Sequence, residues 1–356
     1  MASGLVVVAT PGDKRARALR AAALRVGHPS PTWIAWAEAI AAPARVGAAG
    51  QPGDFLRIDS PGADVATWHA LAGQGGLQTS IPEGQWRPGA AWFRGLERTL
   101  AAIAAAAPQL RLTHPVGHIL TMTDKWRCQQ RLEQAGVTTP PAFPAPDTVS
   151  ALRGQLAERG WSAVFVKPRF GSSGAGVLAW RRAGQREQLT TPAALRGDVL
   201  CNDKHLHTYD DRASIDRIVD IVLADGALVQ RWIPKAGASG GPFDVRVLVI
   251  DGAIAQRVGR VGRGPITNLH LDARRAAPAT LLTSFPGAQA RIDALCLATA
   301  ACFPGHRCLG IDVLVDPRGR PFVLECNAWG DYLPGLLLAG QDSYDLQLRG
   351  LLQETS

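Results

Sequence analysis

The sequence has no Cys-x-x-Cys pair and no Cys/His cluster with zinc-finger spacing, although it contains six cysteines. A structural zinc site is therefore not expected, and scattered thiols are typical of a reduced, cytoplasmic protein. There is also no run of five or more basic residues, despite a formal net charge of +8. Charge dispersed in this way does not predict a nucleic-acid groove or a membrane-binding patch, and it suits anionic small ligands at least as well.

Long apolar runs are missing too. Leu5 to Ala9 is too short for a signal peptide, and Ala101 to Ala107 falls far below the ~20 residues that cross a membrane. No membrane contact is expected, and nothing in the sequence indicates an oligomeric state. At 356 residues, the chain is long enough for a large buried core and about two or three structural units.

The first third of the chain alternates short apolar runs with helical patterns. Residues 4–10 predict a strand, Pro11-Gly12-Asp13 a turn, and Lys14 to Val26 a helix that ends at Gly27. Similar strand and helix patterns follow as far as about residue 107. This alternation predicts an open α/β lobe over residues 1–113, in a protein of α/β (α+β) class.

Another helix is predicted to begin at Thr123-Asp124-Lys125, with Thr123 as its N-cap and Gly136 as its stop. Lys125 then lies in the first helical turn, where a cation opposes the helix dipole. This placement indicates that Lys125 serves something other than the helix.

A strand, a glycine-rich turn and another strand occupy residues 164–178. The pattern is not the dinucleotide fingerprint, which lies between a strand and a helix, and it lacks the Gly-Lys-Ser/Thr of a P-loop. An ordinary β-turn is one reading. The other is a lid whose backbone amides approach phosphate oxygens, with Lys167 at its base. The turn residues concerned are Gly171, Ser172, Ser173, Gly174 and Gly176.

Two further strands carry polar residues. The run Ala227 to Gln230 continues into Arg231-Trp232-Ile233-Pro234, a linker whose backbone is suited to a flat base such as adenine. Asp251-Gly252 then predicts a tight hairpin in which Ile250 faces Ala253, Leu248 faces Ala255, and Arg246 faces Arg257.

Two arginines opposite each other predict an anion between them, with Asn268 completing the site. The alternative is that Asp244 neutralises one arginine.

The stretch from Gly310 to Asn327 predicts a hairpin with a Pro/Gly turn near Arg318. Asp312 then falls opposite Glu325, and Asn327 lies on the same face as Glu325. Facing carboxylates are unfavourable unless a cation lies between them, and three oxygen ligands suit Mg²⁺. An ordinary amphipathic hairpin with its polar face in water is the alternative.

The order of these motifs resembles the ATP-grasp superfamily, over about residues 114–340. The Asp-Val-Arg at 244–246, the Asn-Leu-His at 268–270 and the Glu-Cys-Asn at 325–327 most resemble the RimK-like branch, which joins amino acids to carboxylates. Two features depart from that branch: Arg231 stands where an acid is common, and the segment after Asn327 is longer than the usual short turn.

The resemblance implies an ATP-grasp fold with a central lid lobe at 114–226 and a C-terminal lobe with the metal site at 227–356. Lys125, Lys167 and the glycine-rich turn would hold ATP phosphates, and the backbone of Gln230, Arg231, Trp232 and Ile233 would hold adenine. Asp312, Glu325 and Asn327 would ligate Mg²⁺, as two ions, with Mn²⁺ as a substitute. Arg246 or Arg257, with Asn268, would stabilise the transferred phosphoryl group.

The implied activity is a ligase that activates an anionic carboxylate as an acyl phosphate and couples it to an amine, with release of ADP and phosphate. A kinase that phosphorylates a hydroxyl on the same scaffold, and a non-catalytic nucleotide-binding module, are the rival functions. The identity of the acid and the amine does not follow from these residues.

Overall fold

The computed structural model describes residues 3–62, 64–171, 174–269, 271, 273–330 and 333–354, apart from the side chain of Lys204. Within these residues the strands form three sheets, one parallel and two antiparallel. The first sheet contains strands between residues 5 and 112, the second between 142 and 231, and the third between 237 and 327. The predicted α/β class is confirmed.

The N-terminal sheet has the order β2-β1-β3-β4 and is parallel. Helix α1 begins after Asp13, whose carboxylate accepts the N–H of Arg15 at 2.6 Å, and ends at Gly27 in the left-handed region, with φ 70°. The predicted strand, turn and helix are therefore confirmed. The elements are β1 (Leu5–Ala9), α1 (Lys14–Val26), β2 (Thr32–Ala35), α2 (Trp36–Ala41), α3 (Ala44–Ala48), β3 (Phe55–Ile58), α4 (Val65–Gln74), α5 (Gly89–Ala106) and β4 (Arg111–Leu112).

The central sheet has the order β5-β10-β6-β7-β8-β9 and packs one apolar face against two helices. Trp180 and Val229 of this face are fully buried, as is Ile218 of the covering helix α9. The elements are α6 (Val116–Thr123), α7 (Lys125–Gln134), β5 (Ala142–Pro144), α8 (Val149–Glu158), β6 (Ala163–Pro168), β7 (Leu178–Ala183), β8 (Arg186–Arg196), β9 (Val199–Tyr209), α9 (Arg212–Leu223) and β10 (Ala227–Arg231).

The C-terminal sheet has the order β14-β13-β12-β15-β16, with β11 paired to β12. One face is apolar and packs on helix α11, whereas polar residues of the other face line the cavity described below. The elements are β11 (Gly237–Ala238), β12 (Gly241–Ile250), β13 (Ala253–Val261), β14 (Arg274–Ala276), α10 (Pro278–Leu281), α11 (Ala288–Ala301), β15 (Cys308–Val315), β16 (Pro321–Asn327) and α12 (Ser343–Gln353).

The predicted register of the β12–β13 hairpin is only partly right. Ile250 pairs with Ala253 as expected, but a bulge beyond Val249 makes Leu248 pair with Gln256. Arg246 consequently pairs with Val258, and Arg257 pairs with Val247. Because one extra residue moves every later side chain to the other face, Arg246 and Arg257 do not face each other.

Several contacts join the lobes. In helix α12, Tyr344, Leu348 and Leu351 pack in one core with Leu5 of β1 and Leu19 of α1. Strand β10, although it follows the predicted boundary at residue 226, belongs to the central sheet. The predicted division into 1–113, 114–226 and 227–356 stays a prediction.

The segment before α5 also contacts the central lobe. The N–H of Trp86 donates to the carbonyl of Leu200 at 2.7 Å, and the N–H of Asn202 donates to the carbonyl of Gly84 at 2.9 Å. The Asp225 carboxylate accepts the N–H groups of Gly89 and Ala90, the latter at 3.0 Å. We call residues 84–89 the strap, because it ties the N-terminal lobe to the edge of the central sheet.

Candidate functional site

A cavity lies between the central and C-terminal sheets. It is lined both by apolar side chains, which suit a flat base, and by charged and polar groups. The apolar lining residues are Pro140, Phe165, Val177, Ile233, Pro265, Ile266, Leu314 and Leu324. The remaining ones are Lys167, Gly174, Gln230, Arg231, Lys235, Asp244, Arg260, Thr267, Asn268, Asp312 and Glu325.

Lys125 is the first residue of α7, as predicted, but the N-cap is Asp124 and not Thr123. The Asp124 carboxylate accepts the N–H groups of Trp126 and Arg127, whereas Thr123 ends α6 and donates its hydroxyl to Ile119. An ionised carboxylate is the better partner for the helix N-terminus.

The ammonium group of Lys125 reaches from the helix towards the site. It donates to the carbonyl of Gly171 at 2.7 Å and lies 3.4 Å from Oε1 of Glu325. Lys125 therefore joins the glycine-rich turn to the predicted metal hairpin.

Lys167 stands on β6 at the base of the glycine-rich turn. Its Nζ donates to Oε1 of Gln230 at 2.7 Å. Burial, together with Lys125 and Lys235, lowers the pKa of Lys167 to about 8 against the opposing effect of Glu325. A polyanion that entered the cavity would therefore stabilise the charged form of Lys167.

The glycine-rich turn needs its glycines for conformation and for close approach. Gly171, Gly174 and Gly176 have φ values of 145°, 74° and 64°. A Cβ at Gly174 would lie 3.1 Å from the amide of Asn268, so the turn approaches that residue. Ser172 and Ser173 lie outside the described residues.

The linker places three of its four predicted residues at the cavity. Gln230, Arg231 and Ile233 line it, whereas Trp232 packs its ring 4.7 Å from that of Phe165. The backbone N–H groups of Arg231 and Trp232 already donate to Pro141 and Ala163. Two of the backbone donors expected for adenine are thus used within the protein.

The hairpin of β15 and β16 has the predicted pairing of Asp312 with Glu325, which follows a register shift between Asp312 and Val313. Asp312 pairs with Glu325, and Gly310 pairs with Asn327. The amide nitrogen of Asn327 donates to the carbonyl of Gly310 at 3.4 Å, which leaves its oxygen for other partners. Two carboxylates and one amide oxygen on adjacent positions are ligands that a hard divalent cation prefers.

The charges on the hairpin also fit a cation. Burial raises the pKa of Asp312 in spite of Arg246 and Arg260. Burial acts in the same direction on Glu325, but Lys125, Lys167 and Arg246 outweigh it, so that the pKa of Glu325 is lowered. The described residues contain no group of three His, Cys, Asp or Glu suited to a metal, so this site depends on Asn327 as the third ligand.

Two arginines flank Asp312, but they are not the predicted pair. Nε of Arg246 lies 2.7 Å from Asp312, and Nη2 of Arg260 lies 2.9 Å from the same carboxylate. Arg260 also contacts Asp244 at 2.6 Å, whereas the alternative reading expected Asp244 to neutralise Arg246 or Arg257. Arg257 instead pairs with Asp293 of α11, at 2.7 and 2.8 Å, on the opposite side of the sheet. The bulge described above is the reason.

Lys235 and Thr267 were not predicted. The Nζ of Lys235 lies 3.1 Å from Asp244, and Thr267 contacts both Asp244 and Lys235. Lys235 lies only two residues after Ile233 of the predicted linker, and this closeness in sequence could have indicated that Lys235 belongs to the site. Asn268 lines the cavity as predicted, and its neighbour His270 lies outside the described residues.

These features together define an ATP-grasp protein: a glycine-rich hairpin and an interlobe linker on one side of a cavity, and a carboxylate-bearing hairpin on the other. The model of the YheC/D-like ATP-grasp family matches residues 120–332. The chain belongs to that family, and the superfamily indicated by the sequence motifs is confirmed.

Solved structures share the fold over nearly the whole chain. D-cycloserine synthetase DcsG is 18% identical, with a TM-score of 0.60 over 99% of this chain and 100% of that one. The ATP-grasp ligase PsnB, complexed with a variant of its minimal precursor, Mg and ADP, is 14% identical, with a TM-score of 0.59 over 100% of both chains.

N5-carboxyaminoimidazole synthetase from Staphylococcus aureus, complexed with ADP, is 9% identical, with a TM-score of 0.62 over 99% of this chain and 78% of that one. At these identities the likeness concerns the fold alone. Among curated protein sequences, none matches this chain.

Proposed function

We propose that this protein is an ATP- and Mg²⁺-dependent ligase that joins a carboxylate to an amine. The observation that carries the proposal is the pairing of Asp312 with Glu325 at the end of a cavity that also holds Lys167, with Lys125 beside Glu325. Opposed carboxylates beside clustered cations suit a polyphosphate with its metal ions. A protein that only bound a nucleotide would have no need of this pair of facing carboxylates.

Each side chain has a role in this reaction. Lys125 and Lys167 attract the phosphates, and the turn from Gly171 to Gly176 covers them. Asp312, Glu325 and Asn327 would hold Mg²⁺, which supplies positive charge to the phosphate oxygens. Arg246 and Arg260 lie beside Asp312, where they stabilise the transferred phosphoryl group. Arg257, on the other side of the sheet, takes no part.

The reaction has two steps. A carboxylate oxygen of the first substrate attacks the γ-phosphorus, and the bond to the β-phosphate oxygen breaks, so that ADP leaves and an acyl phosphate forms. The nitrogen of the amine then attacks the acyl carbon, phosphate leaves, and the nitrogen loses a proton. Positioning and electrostatic stabilisation are sufficient for such chemistry, so no nucleophilic side chain is required.

The substrates are an anionic carboxylate donor and an amine acceptor. The similar structures include both a small-molecule synthetase and a ligase complexed with a precursor, so a metabolite and a peptide are both candidate donors. The RimK-like placement stays a prediction. We also propose a cytoplasmic location, since all six cysteines are free thiols. No helix in the described part of the chain is long and apolar enough to cross a membrane.

A trapping assay tests this function. The purified protein is incubated with ATP, Mg²⁺, a cell extract that supplies carboxylates, and hydroxylamine as a substitute amine, and the products are identified by mass spectrometry. A hydroxamate that forms together with ADP would establish the acyl phosphate and identify the donor. A phosphorylated product without hydroxamate would favour a kinase and contradict the proposal.

A further inference from the structure

Residues 174–177, which we call the return segment, lead from the glycine-rich turn back into β7. Gly174 and Val177 line the cavity, and the N–H of Val177 donates to the carbonyl of Gly174 at 3.2 Å. Glycine loses more conformational freedom on folding than any other residue, so a segment with two glycines is held in place mainly by what packs against it. The contacts behind the return segment therefore decide how well it covers the cavity.

Trp86 of the strap packs against the return segment. Its indole ring fills the space that a side chain at Gly176 would occupy, close to Pro168. The ring is half-buried and also packs on the core between the central sheet and its two helices. Trp86 is not among the described residues that line the cavity. It thus supports the return segment from outside the cavity, with the large contact area that an indole ring provides.

The backbone of the strap fixes the position of this ring. Gln85 forms an antiparallel bridge with Cys201, next to the hydrogen bonds that the N–H groups of Trp86 and Asn202 donate across the same two segments. The side-chain amide of Asn202 also donates to the carbonyl of Gln85, at 3.4 Å. The strap therefore follows the edge of β9, where main-chain hydrogen bonds hold an added segment.

A second contact holds the start of the glycine-rich turn. Phe170, which precedes Gly171, stacks on Phe93 of α5 with ring centroids 4.4 Å apart. At Gly89, the first residue of α5, a Cβ would lie only 2.8 Å from the Cβ of Phe170. The N-terminal lobe therefore contacts both the start and the end of the turn.

We propose that Trp86 is a positioning residue for the ligase reaction, because its ring holds the return segment where this segment covers the outer phosphates of the nucleotide. The inference rests on the proposed function and deepens it. A strap that favours the nucleotide-binding position of the return segment is itself stabilised by bound nucleotide, and by the same factor, since coupling between two sites is reciprocal. Trp86 thus links the N-terminal lobe to nucleotide binding without contact to the nucleotide.

Nucleotide binding to the full chain tests this role without an acid or an amine. Isothermal titration calorimetry with Mg²⁺ measures the affinity for AMPPNP, an ATP analogue that is not hydrolysed. We expect Trp86→Leu, which removes the ring, to bind AMPPNP about tenfold more weakly than the wild type. Trp86→Phe keeps a flat ring and should bind it within about threefold of the wild type.

Trp161→Leu is the matched control. Trp161 is also half-buried and packs on the same core as Trp86, but its ring lies against Phe143, with centroids 5.5 Å apart, and not against the return segment. The affinity of Trp161→Leu for AMPPNP should equal that of the wild type.

Hydrogen exchange in the wild-type chain is a second test that needs no variant. The N–H of Trp86 donates to the carbonyl of Leu200 at 2.7 Å, and saturating AMPPNP with Mg²⁺ should slow its exchange about tenfold. The N–H of Gly53 donates to the carbonyl of Gln109 at 3.0 Å, just before β3, and serves as the control. Its exchange rate should not change.

The outcomes distinguish this inference from the function on which it depends. Unchanged affinity for AMPPNP in folded Trp86→Leu, or an equal loss in Trp161→Leu, would overturn the role of Trp86 and leave the nucleotide site intact. If the wild-type chain bound no AMPPNP, the proposed function would fail, and the inference with it. If Trp86→Leu does not fold, the exchange of the Trp86 N–H decides, and a rate that the nucleotide does not change would overturn the inference.

Discussion

The indole ring of Trp86 lies directly against the backbone of Gly176, so that a Cβ added to Gly176 would fall 2.1 Å from the ring atom Cζ3. Trp86 belongs to the strap and Gly176 to the glycine-rich turn. The N-terminal lobe thus supports the turn that is proposed to cover the phosphates. No side chain larger than a hydrogen fits at Gly176 without displacing the ring.

Gly176→Ala is therefore expected to destabilise the protein more than Gly160→Ala. Both glycines are left-handed, with φ of 64° and 62°, so each substitution costs about 1 kcal/mol in backbone strain. Nothing lies near a Cβ at Gly160, whereas displacing Trp86 should cost roughly 1–3 kcal/mol more at Gly176. Chemical denaturation of both variants measures the difference. Equal losses of unfolding free energy in the two variants would show that the contact between Trp86 and Gly176 does not contribute to stability.

Glu325→Gln should lower the rate of ADP formation by roughly 10²–10³-fold, because it removes a charge that faces the phosphates and the metal. The Mg²⁺ concentration for half-maximal activity should rise at the same time. Glu354→Gln, which alters a carboxylate that pairs with Arg111 and Arg307, is the control and should keep wild-type kinetics. Unchanged turnover in Glu325→Gln would refute the metal assignment.

The two arginines of β13 should respond differently to the same change. Arg260→Lys loses the fork that joins Asp244 to Asp312, and kcat/KM should fall about 100-fold. Arg257→Lys alters a partly exposed pair with Asp293, so it should cost at most ~1 kcal/mol in the free energy of unfolding. Its kcat/KM should stay near that of the wild type. A large kinetic loss in Arg257→Lys would contradict the register of the hairpin.

Acid should destabilise the junction between the lobes. His306 is buried, its Nε2 donates to the carbonyl of Ala328 at 2.5 Å, and its ring lies 4.6 Å from that of His114. Burial lowers the pKa of His306 to about 4. Below pH 6.5 the unfolded chain binds a proton that the native state still excludes, so the free energy of unfolding falls as the pH drops towards 4, by up to roughly 3 kcal/mol from this group.

His306→Asn keeps a donor for Ala328 and removes this titration. The stability advantage of the wild type over His306→Asn should therefore shrink between pH 7 and pH 4.5. Urea denaturation at the two pH values measures it. An advantage that stays constant would mean that His306 does not titrate in the way its burial implies.

The metal hairpin could be predicted from the sequence because a Pro/Gly turn marks where the chain reverses, although the register shift that sets Asp312 opposite Glu325 carries no such mark. The bulge beyond Val249 could not, since no residue type marks it, and the prediction for Arg257 failed for that reason alone. Strands β8 and β9 were missed for a different cause. A proline such as Pro192 normally indicates that a segment is not a strand. In this structure Pro192 lies where the register of β8 shifts, and a sheet tolerates proline at such a position.

Contacts between distant segments were also out of reach. Nothing near Asp244 in the sequence indicates that Lys235 and Thr267 surround its carboxylate, because that arrangement depends on how the linker and the sheet meet. The strap could not be predicted from the sequence either. Its hydrogen bonds to β9 join segments that have no common pattern.

The packing of α12 on β1 and α1 has a consequence for how the protein is made. The outer face of the N-terminal sheet is completed by residues such as Gln347, which bonds to Arg57 from 290 positions further along the chain. During synthesis the apolar core that α12 shares with β1 and α1 stays incomplete while the remaining lobes emerge from the ribosome, which is the condition under which nascent chains aggregate or need chaperones. Truncation before α12 should therefore yield an N-terminal lobe that fails to fold, however far it lies from the deleted residues in sequence.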